Sequence, residues 1–200
     1  MLRRVSSPLV GVLALQGDVP EHLDALQACG MRTTRVRTAE ELRAVDALAM
    51  PGGESTTMGR LLRVFELEGL LRERLEGGMP VLATCAGMIL LSREVLDGRP
   101  DQLMFGTLDL DVRRNGYGRQ ADSFEADLDV HGMEGDPFRA VFIRAPVIER
   151  TGDEVEVVAE LDGRPVAVAQ GPHLALSFHP EMTGDPRLHR LFLKRAGLAA

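Results

Sequence analysis

No apolar run in the chain approaches the roughly 20 residues that a membrane-spanning helix requires. Cysteine is scarce: only Cys29 and Cys85 occur, which excludes a disulfide framework and a cysteine-based metal site. Basic clusters are missing too. The 23 Lys and Arg residues are scattered among 30 Asp and Glu, and the net charge of −7 argues against nucleic-acid or anionic-membrane partners. The N-terminal stretch MLRRVSSP carries arginines, yet the run after it reaches Gln16-Gly17-Asp18 too early for a signal peptide's apolar region and cleavage site. No repeat, low-complexity segment or linker rich in Gly, Ser or Pro divides the 200 residues. A chain of this length closes a core without staples. Its 44% apolar and 26% charged content is that of a soluble globular protein. We therefore expect a single cytoplasmic domain over 1–200, an enzyme or a binding protein, with residues 1–8 as a flexible extension.

What is present is an alternation of strands and helices. Leu9 to Leu15 is a continuous apolar run, as in a strand buried on both faces of a parallel sheet, and Gln16-Gly17-Asp18 breaks it. The spacing predicts a helix over 20–29 with Gly30 just past its end, a strand over 33–36, a helix over 39–44 and a strand over 46–50. Pro51-Gly52-Gly53 ends that strand. Helical stretches follow over 56–65 and 67–75, then a strand over 79–83 and a helix over 86–95. From Phe105 the texture changes, and 108–112 and 124–128 alternate as half-exposed antiparallel strands do. Further strands are predicted over 141–144, 155–161, 165–169 and 174–178, with Asp162-Gly163 as a hairpin turn, and an amphipathic helix over 186–195. The predicted class is α/β: a single doubly wound, mostly parallel open sheet with flanking helices and an antiparallel extension in the second half.

Four segments could carry chemistry. In VLATCAGM, Cys85 stands where strand gives way to helix, a place where a nucleophile is exposed above the sheet beside its neighbours' amides. Such a turn needs small neighbours, and Ala83 and Gly87 supply them. The helix from Ala86 points amides and its positive dipole end at the sulfur, which favours thiolate. Ligands of open α/β sheets also bind at the carboxyl ends of strands. Geometry alone remains equally compatible with a buried core cysteine.

In Ser177-Phe178-His179-Pro180-Glu181, an extended backbone projects His179 and Glu181 to the same side. A carboxylate so placed orients an imidazole, the third role in a triad, whereas a lone histidine is more often a polar core or surface residue. His22 and His189 on helices, His131 on a Gly-rich loop and His173 at a strand entry carry weaker signals. Pro51-Gly52-Gly53-Glu54-Ser55-Thr56-Thr57 lacks the spacing and the lysine of a P-loop. Its glycines let amides approach a ligand, and Ser55 or Thr56 can cap the next helix. It is an oxyanion-stabilising loop beside Cys85 if the third and fourth strands are neighbours, and otherwise a tight turn. Arg113-Arg114 and Ile143-Arg144 place arginines at strand-to-loop transitions, where they either clamp a substrate carboxylate or are solvated.

The segments GVLALQGDVPEH, PGGESTTM, TCAGMILL, RRNGYGRQADSFEADL, VFIRAP and SFHPE span nearly the whole chain. In order and spacing it resembles the class I (triad) glutamine amidotransferases, and among these the glutaminase subunits of pyridoxal 5′-phosphate synthase. The resemblance implies hydrolysis of L-glutamine to L-glutamate and ammonia through a thioester on Cys85, with His179 as general base and then acid and Glu181 as the orienting carboxylate. It implies an oxyanion hole from the amides of Gly53 and Ala86. Glutamine would be held by Gly53, Glu54, Ser55, Arg114, Ile143 and Arg144, with no metal and no cofactor. A partner synthase subunit would switch the glutaminase on and receive its ammonia through a tunnel for vitamin B6 biosynthesis. The Pro51-Gly52-Gly53 turn suits such a switch, since a glycine peptide flips at little steric cost. The chain departs from the pattern at Ala83, where the class usually has glycine, and at the Gly-Tyr-Gly after Asn115, where the family often has a Ser-Phe-Gly type of sequence. The segments around Arg114 and Arg144 speak against the amidotransferase subunit that feeds imidazole glycerol phosphate synthase. Intact Cys85, His179 and Glu181 speak against a catalytically dead module that only binds a partner.

Overall fold

A computed structural model describes residues 7–114, 116 and 123–198. The extension expected at 1–8 lies outside them apart from Ser7 and Pro8, and the Gly-Tyr-Gly segment apart from Gly116. Short apolar strands build the centre. The first half runs β1 (Leu9–Leu13), α1 (Val19–Ala28), β2 (Arg32–Val36), α2 (Ala39–Ala44), β3 (Ala47–Met50), α3 (Ser55–Val64), α4 (Glu68–Glu76), β4 (Val81–Thr84) and α5 (Ala86–Leu91). The second half holds β5 (Ser92–Val95), β6 (Leu108–Arg113), β7 (Ser123–Leu128), β8 (Phe138–Ile143), β9 (Val147–Thr151), β10 (Glu156–Leu161), β11 (Arg164–Gln170) and β12 (His173–Leu176). A 3-10 turn at Pro180–Met182 and α6 (Arg187–Arg195) follow.

A 7-stranded sheet has the order β10-β11-β12-β4-β3-β1-β2. The strands β2, β1, β3, β4 and β12 are mutually parallel, and β11 and β10 continue the same sheet antiparallel. The antiparallel extension predicted from the sequence is therefore an edge of the main sheet, accompanied by the smaller sheets β5-β6-β9 and β7-β8. Because side chains alternate along a strand, each central strand feeds both layers. Val10, Val12, Ala47, Ala49 and Leu82 pack with Leu26 of α1, Phe192 of α6, and Phe138 and Phe142 of β8. Leu13, Leu48, Met50, Val81 and Ala83 pack with Met58 and Leu62 of α3, Leu71 of α4 and Ile89 of α5. Each large side chain so buried contributes roughly 1.5–3 kcal/mol.

The helix predicted over 86–95 stops at Leu91. At Ser92 the backbone turns extended (φ −64°, ψ 158°), the Ser92 hydroxyl donates to the Ile89 carbonyl at 2.7 Å, and 92–95 pair with β6 instead. Pairing between distant segments overrides the local helical pattern there. Strand β9 was not foreseen; the left-handed Arg144 (φ 42°) and Pro146 separate it from β8. Asp162 and Gly163, both at positive φ, make the expected β10–β11 turn. Among the described residues no helix is long and apolar enough to cross a membrane.

Candidate active site

The strands β3 and β4 are neighbours, with Leu48 beside Val81 and Met50 beside Ala83. The Pro51-Gly52-Gly53 turn and Cys85 thus leave the sheet side by side at its carboxyl edge, where open α/β sheets bind ligands. Cys85 has φ 48° and ψ −105°, a conformation that L-residues rarely adopt. Such a residue stores on the order of 1–3 kcal/mol and persists only when its surroundings hold it. Here the Cys85 N–H donates to the Leu176 carbonyl at 2.8 Å and its own carbonyl accepts from Ile89 N–H at 3.2 Å. A Cβ at Gly87 would collide with the carbonyl oxygen of Met50, so the turn takes glycine at that position. The methyl of Ala83 is fully buried in the α3–α5 layer, which accommodates the departure from glycine.

Strand β12 pairs with β4 through Leu176 and Thr84, so the segment after it passes beside Cys85. His179 and Glu181 do meet, Nδ1 to Oε1 at 2.8 Å. They do so across a 3-10 turn rather than the expected extended segment, because Pro180, with its fixed φ, opens a helical turn there. The His179 N–H donates to the Val141 carbonyl at 2.9 Å. A Cβ at Gly52 would run into the imidazole, so the ring rests directly on the PGG turn. Burial disfavours charge on His179, yet hydrogen bonds with Cys85 and Glu181 and the attraction of their charges outweigh it and push its pKa up to about 10. Burial raises Glu181, opposed by the same contact with His179.

A cavity of about 340 Å³ opens in front of this pair. Cys85 and His179 line it, as do Gly53, Glu54 and Ser55 from the loop after β3, and Arg114, Ile143 and Arg144 from the second half of the chain. The other two expected residues do not line it. Glu181 stands behind His179, and Ala86 is buried at the first position of α5, where a helix leaves its amide without an intrahelical partner. The carbonyl oxygen of Ile143 lies 4.0 Å from the Cys85 sulfur.

The cap of α3 is Glu54 rather than Ser55 or Thr56. Its carboxylate accepts from Thr56 N–H at 3.1 Å and Thr57 N–H at 2.7 Å, at the positive end of the helix. Ser55 occupies the first helical position, and its hydroxyl donates to Gln102 at 3.5 Å. Partial burial would raise Glu54, but the Thr57 and Thr56 hydrogen bonds prevail and hold it at about 2. Arg114 donates to Glu54 at 3.2 Å, to Thr56 at 3.1 Å and to Gln102 at 3.3 Å. One wall therefore carries a fixed anion and a fixed cation, which complements the ammonium and carboxylate of an amino acid.

Gln16, Gly17, Asp18 and Ile89 also line the cavity and were not singled out from the sequence. Gln16-Gly17-Asp18 follows β1, the neighbour of β3, so the rule that placed PGGES at the carboxyl edge reaches them as well. The Gln16 side-chain oxygen accepts the Glu54 N–H at 3.3 Å and ties the loops together. Asp18 Oδ2 lies 3.6 Å from His179 Nδ1. Asp18, His179 and Glu181 present atoms within 4.8 Å of one another, close enough to hold a cation. Both carboxylates converge on one ring nitrogen, though, and a cation there would have to displace the 2.8 Å bond that orients the imidazole.

Comparison with known proteins supplies a family. The model of the SNO glutamine amidotransferase family matches residues 12–197. A pyridoxal 5′-phosphate synthase subunit PdxT of Mycobacteroides abscessus is 61% identical over 193 residues, covering 96% of this chain and 100% of the relative. The PdxT subunit of Frankia alni is 59% identical over 189 residues, 94% of this chain and 95% of its own. A crystal structure of a glutamine amidotransferase superposes with a TM-score of 0.88 at 52% identity, covering 94% and 98% of the two chains. Another, from Thermotoga maritima, shares the fold at a TM-score of 0.57 and 14% identity, with 96% and 94% covered. With its elbow, its HPE turn and its arginine wall gathered on one cavity, the chain belongs to the SNO glutamine amidotransferase family.

Proposed function

We propose that this chain is the glutaminase subunit of a pyridoxal 5′-phosphate synthase: it hydrolyses L-glutamine to L-glutamate and ammonia, and hands the ammonia to a synthase subunit for vitamin B6 biosynthesis. The observation that carries this reading is Cys85 and His179 on one cavity, with Glu181 buried on the far nitrogen of the imidazole at 2.8 Å. His179 takes the thiol proton of Cys85, and the sulfur attacks the side-chain carbonyl carbon of glutamine. The tetrahedral oxyanion lies against the amides of Gly53 and Ala86. Its collapse breaks the C–N bond, His179 returns the proton to the leaving nitrogen, and ammonia departs from a γ-glutamyl thioester. His179 then deprotonates water, which cleaves the thioester and releases glutamate. Glu181 keeps the imidazole oriented and stabilises its cationic form throughout. Arg114 and Glu54 take the α-carboxylate and α-ammonium, while Ser55, Ile143 and Arg144 shape the pocket around them. The chain acts as one glutaminase domain in the cytoplasm, in a hetero-oligomeric complex, with no metal, cofactor, nucleic acid or membrane involved. Glutamate release is measured with and without the synthase subunit. Turnover that appears only in the complex is the expected result, and none in its presence refutes the reading.

A further inference from the structure

Behind the triad stand His22 of α1 and His189 of α6, both wholly buried and neither lining the cavity. Their rings meet edge-on, with His22 Nδ1 3.0 Å from His189 Nε2. The other nitrogen of His22, Nε2, lies 3.3 Å from Thr84 Oγ1 and 3.4 Å from Glu181 Oε2. Glu181 is thus flanked by imidazoles, His179 at Oε1 and His22 at Oε2. Oε2 is buried, and no well-aligned hydrogen bond reaches it among the described residues.

Protonation follows from these positions. Burial, then the neighbouring charges of His189 and His179, holds His22 well below the ordinary histidine value, and burial pushes His189 down to about 4. Each ring is therefore neutral at pH 7 and carries one N–H. A bare Nε2 on His22 would aim its lone pair at those of the Glu181 carboxylate, so the proton sits on Nε2. Nδ1 of His22 is then an acceptor, and it is satisfied only if His189 carries its own proton on Nε2. That leaves His189 Nδ1 as a lone pair, a buried atom to which no partner is presented among the described residues.

We infer that His22, with its tautomer set by His189, is a positioning residue: its Nε2–H, shared between Thr84 and Glu181, holds the second carboxylate oxygen so that the first stays on His179. The catalytic consequence rests on the glutaminase reading above. A neutral donor suits this place because it satisfies Oε2 without cancelling the charge that His179 needs. Around Glu181 stand His179 on its own turn, Asp18 ahead of α1 and His22 of α1, with Glu21 and Asp24 of α1 and Asp185 ahead of α6 on a cavity that Glu181 also lines; around His22 stands His189 of α6 as well.

The test uses the complete glutaminase–synthase complex and follows kcat for glutamate release against pH. In His22→Asn the amide takes the Nδ1 position and leaves Oε2 without a donor, whereas in His22→Gln the amide nitrogen reaches the Nε2 position. We expect His22→Asn to lower kcat about 10-fold or more with KM changed by less than about 2-fold, and to move the alkaline limb to lower pH. His22→Gln recovers most of kcat and restores the limb. On a Glu181→Gln background, His22→Asn costs nothing further, since it acts through that carboxylate. Equal kcat and an unmoved limb in both variants, or a loss that adds in full to Glu181→Gln, overturns the inference. A readout independent of turnover is the pH profile of Cys85 alkylation by iodoacetamide in a Cys29→Ser background. Its alkaline break shifts down in His22→Asn and not in His22→Gln. If the parent complex releases no glutamate, the glutaminase reading fails, and the alkylation profile still decides on His22.

Discussion

Two of the charged networks among the described residues behave oppositely. On the β5-β6-β9 sheet, Arg93 and Arg150 interleave with Asp109 and Asp111, with Arg93 3.0 Å and Arg150 2.7 Å from the Asp111 carboxylate. Cations and carboxylates are matched in number, and three of the four side chains are at least 38% exposed. The hydrogen bond from Arg150 holds Asp111 below the usual carboxylate range. In the buried chain from Cys85 to His189, Glu181 stands between two imidazoles, His179 and His22, and every member is more than nine-tenths buried. Burial there raises Glu181 and lowers His22 and His189, and of these three histidines only His179, between Cys85 and Glu181, is pushed up. A matched surface lattice is screened and worth little. In the buried network, burial lowers all three histidines and the contacts with Cys85 and Glu181 reverse it at His179 alone, which splits like residues into the different protonation states that acid–base chemistry needs.

The largest effect expected from breaking this contrast is at Cys85, the proposed nucleophile. Cys85→Ala lowers glutamate release by the complex about 10⁵-fold or more; a rate unchanged by it refutes the assignment. Glu181→Gln follows, with kcat down about 10³- to 10⁴-fold. Its kcat–pH profile loses the alkaline plateau that His179 sustains to about 10, because the hydrogen bond and charge raising that value are gone. A limb that stays in place contradicts the account.

The buried histidines also shape stability. Both are neutral in the fold, while the unfolded chain protonates them below about 6.5, so stability is present above that pH and falls as pH drops towards 4. Chemical denaturation across this window should show a slope of up to about 1.4 kcal/mol per pH unit for each histidine, and His189→Gln should remove one share of it. The smallest effect belongs to the surface lattice. Arg150→Ala lowers stability only slightly, by an amount that shrinks further in added salt, and leaves glutaminase turnover unchanged. The Asp111 contribution persists at neutral pH and disappears only as pH falls through and below the ordinary carboxylate range.

Much of the site was legible because its signals are local. A small-Cys-small turn between strand and helix, a glycine pair after a strand and a carboxylate beside a histidine each announce themselves within a few residues. Where locality ended, the reading slipped. Ser55 and Thr56 have the chemistry of caps, yet Glu54 holds the Thr56 and Thr57 amides because it stands one residue earlier and its longer side chain reaches forward over the first turn. Residues 92–95 look helical, yet β6 takes them as a strand. The HPE segment looks extended, yet Pro180 starts a 3-10 turn that still delivers Glu181 to the ring.

The sequence by itself determined the doubly wound α/β class, the elbow at Cys85 and the pairing of His179 with Glu181, since periodicity, turn residues and short spacings are properties of neighbours in the chain. Only the tertiary structure decided that Arg114 and Glu54 face the same cavity as Cys85, and that His22 and His189 sit behind Glu181. Those two histidines are 167 residues apart, and each carries only a weak signal on its own helix until the sheet brings α1 and α6 together. Their protonation is decided there as well, because the absence of water is a property of the packed layers and of no single segment.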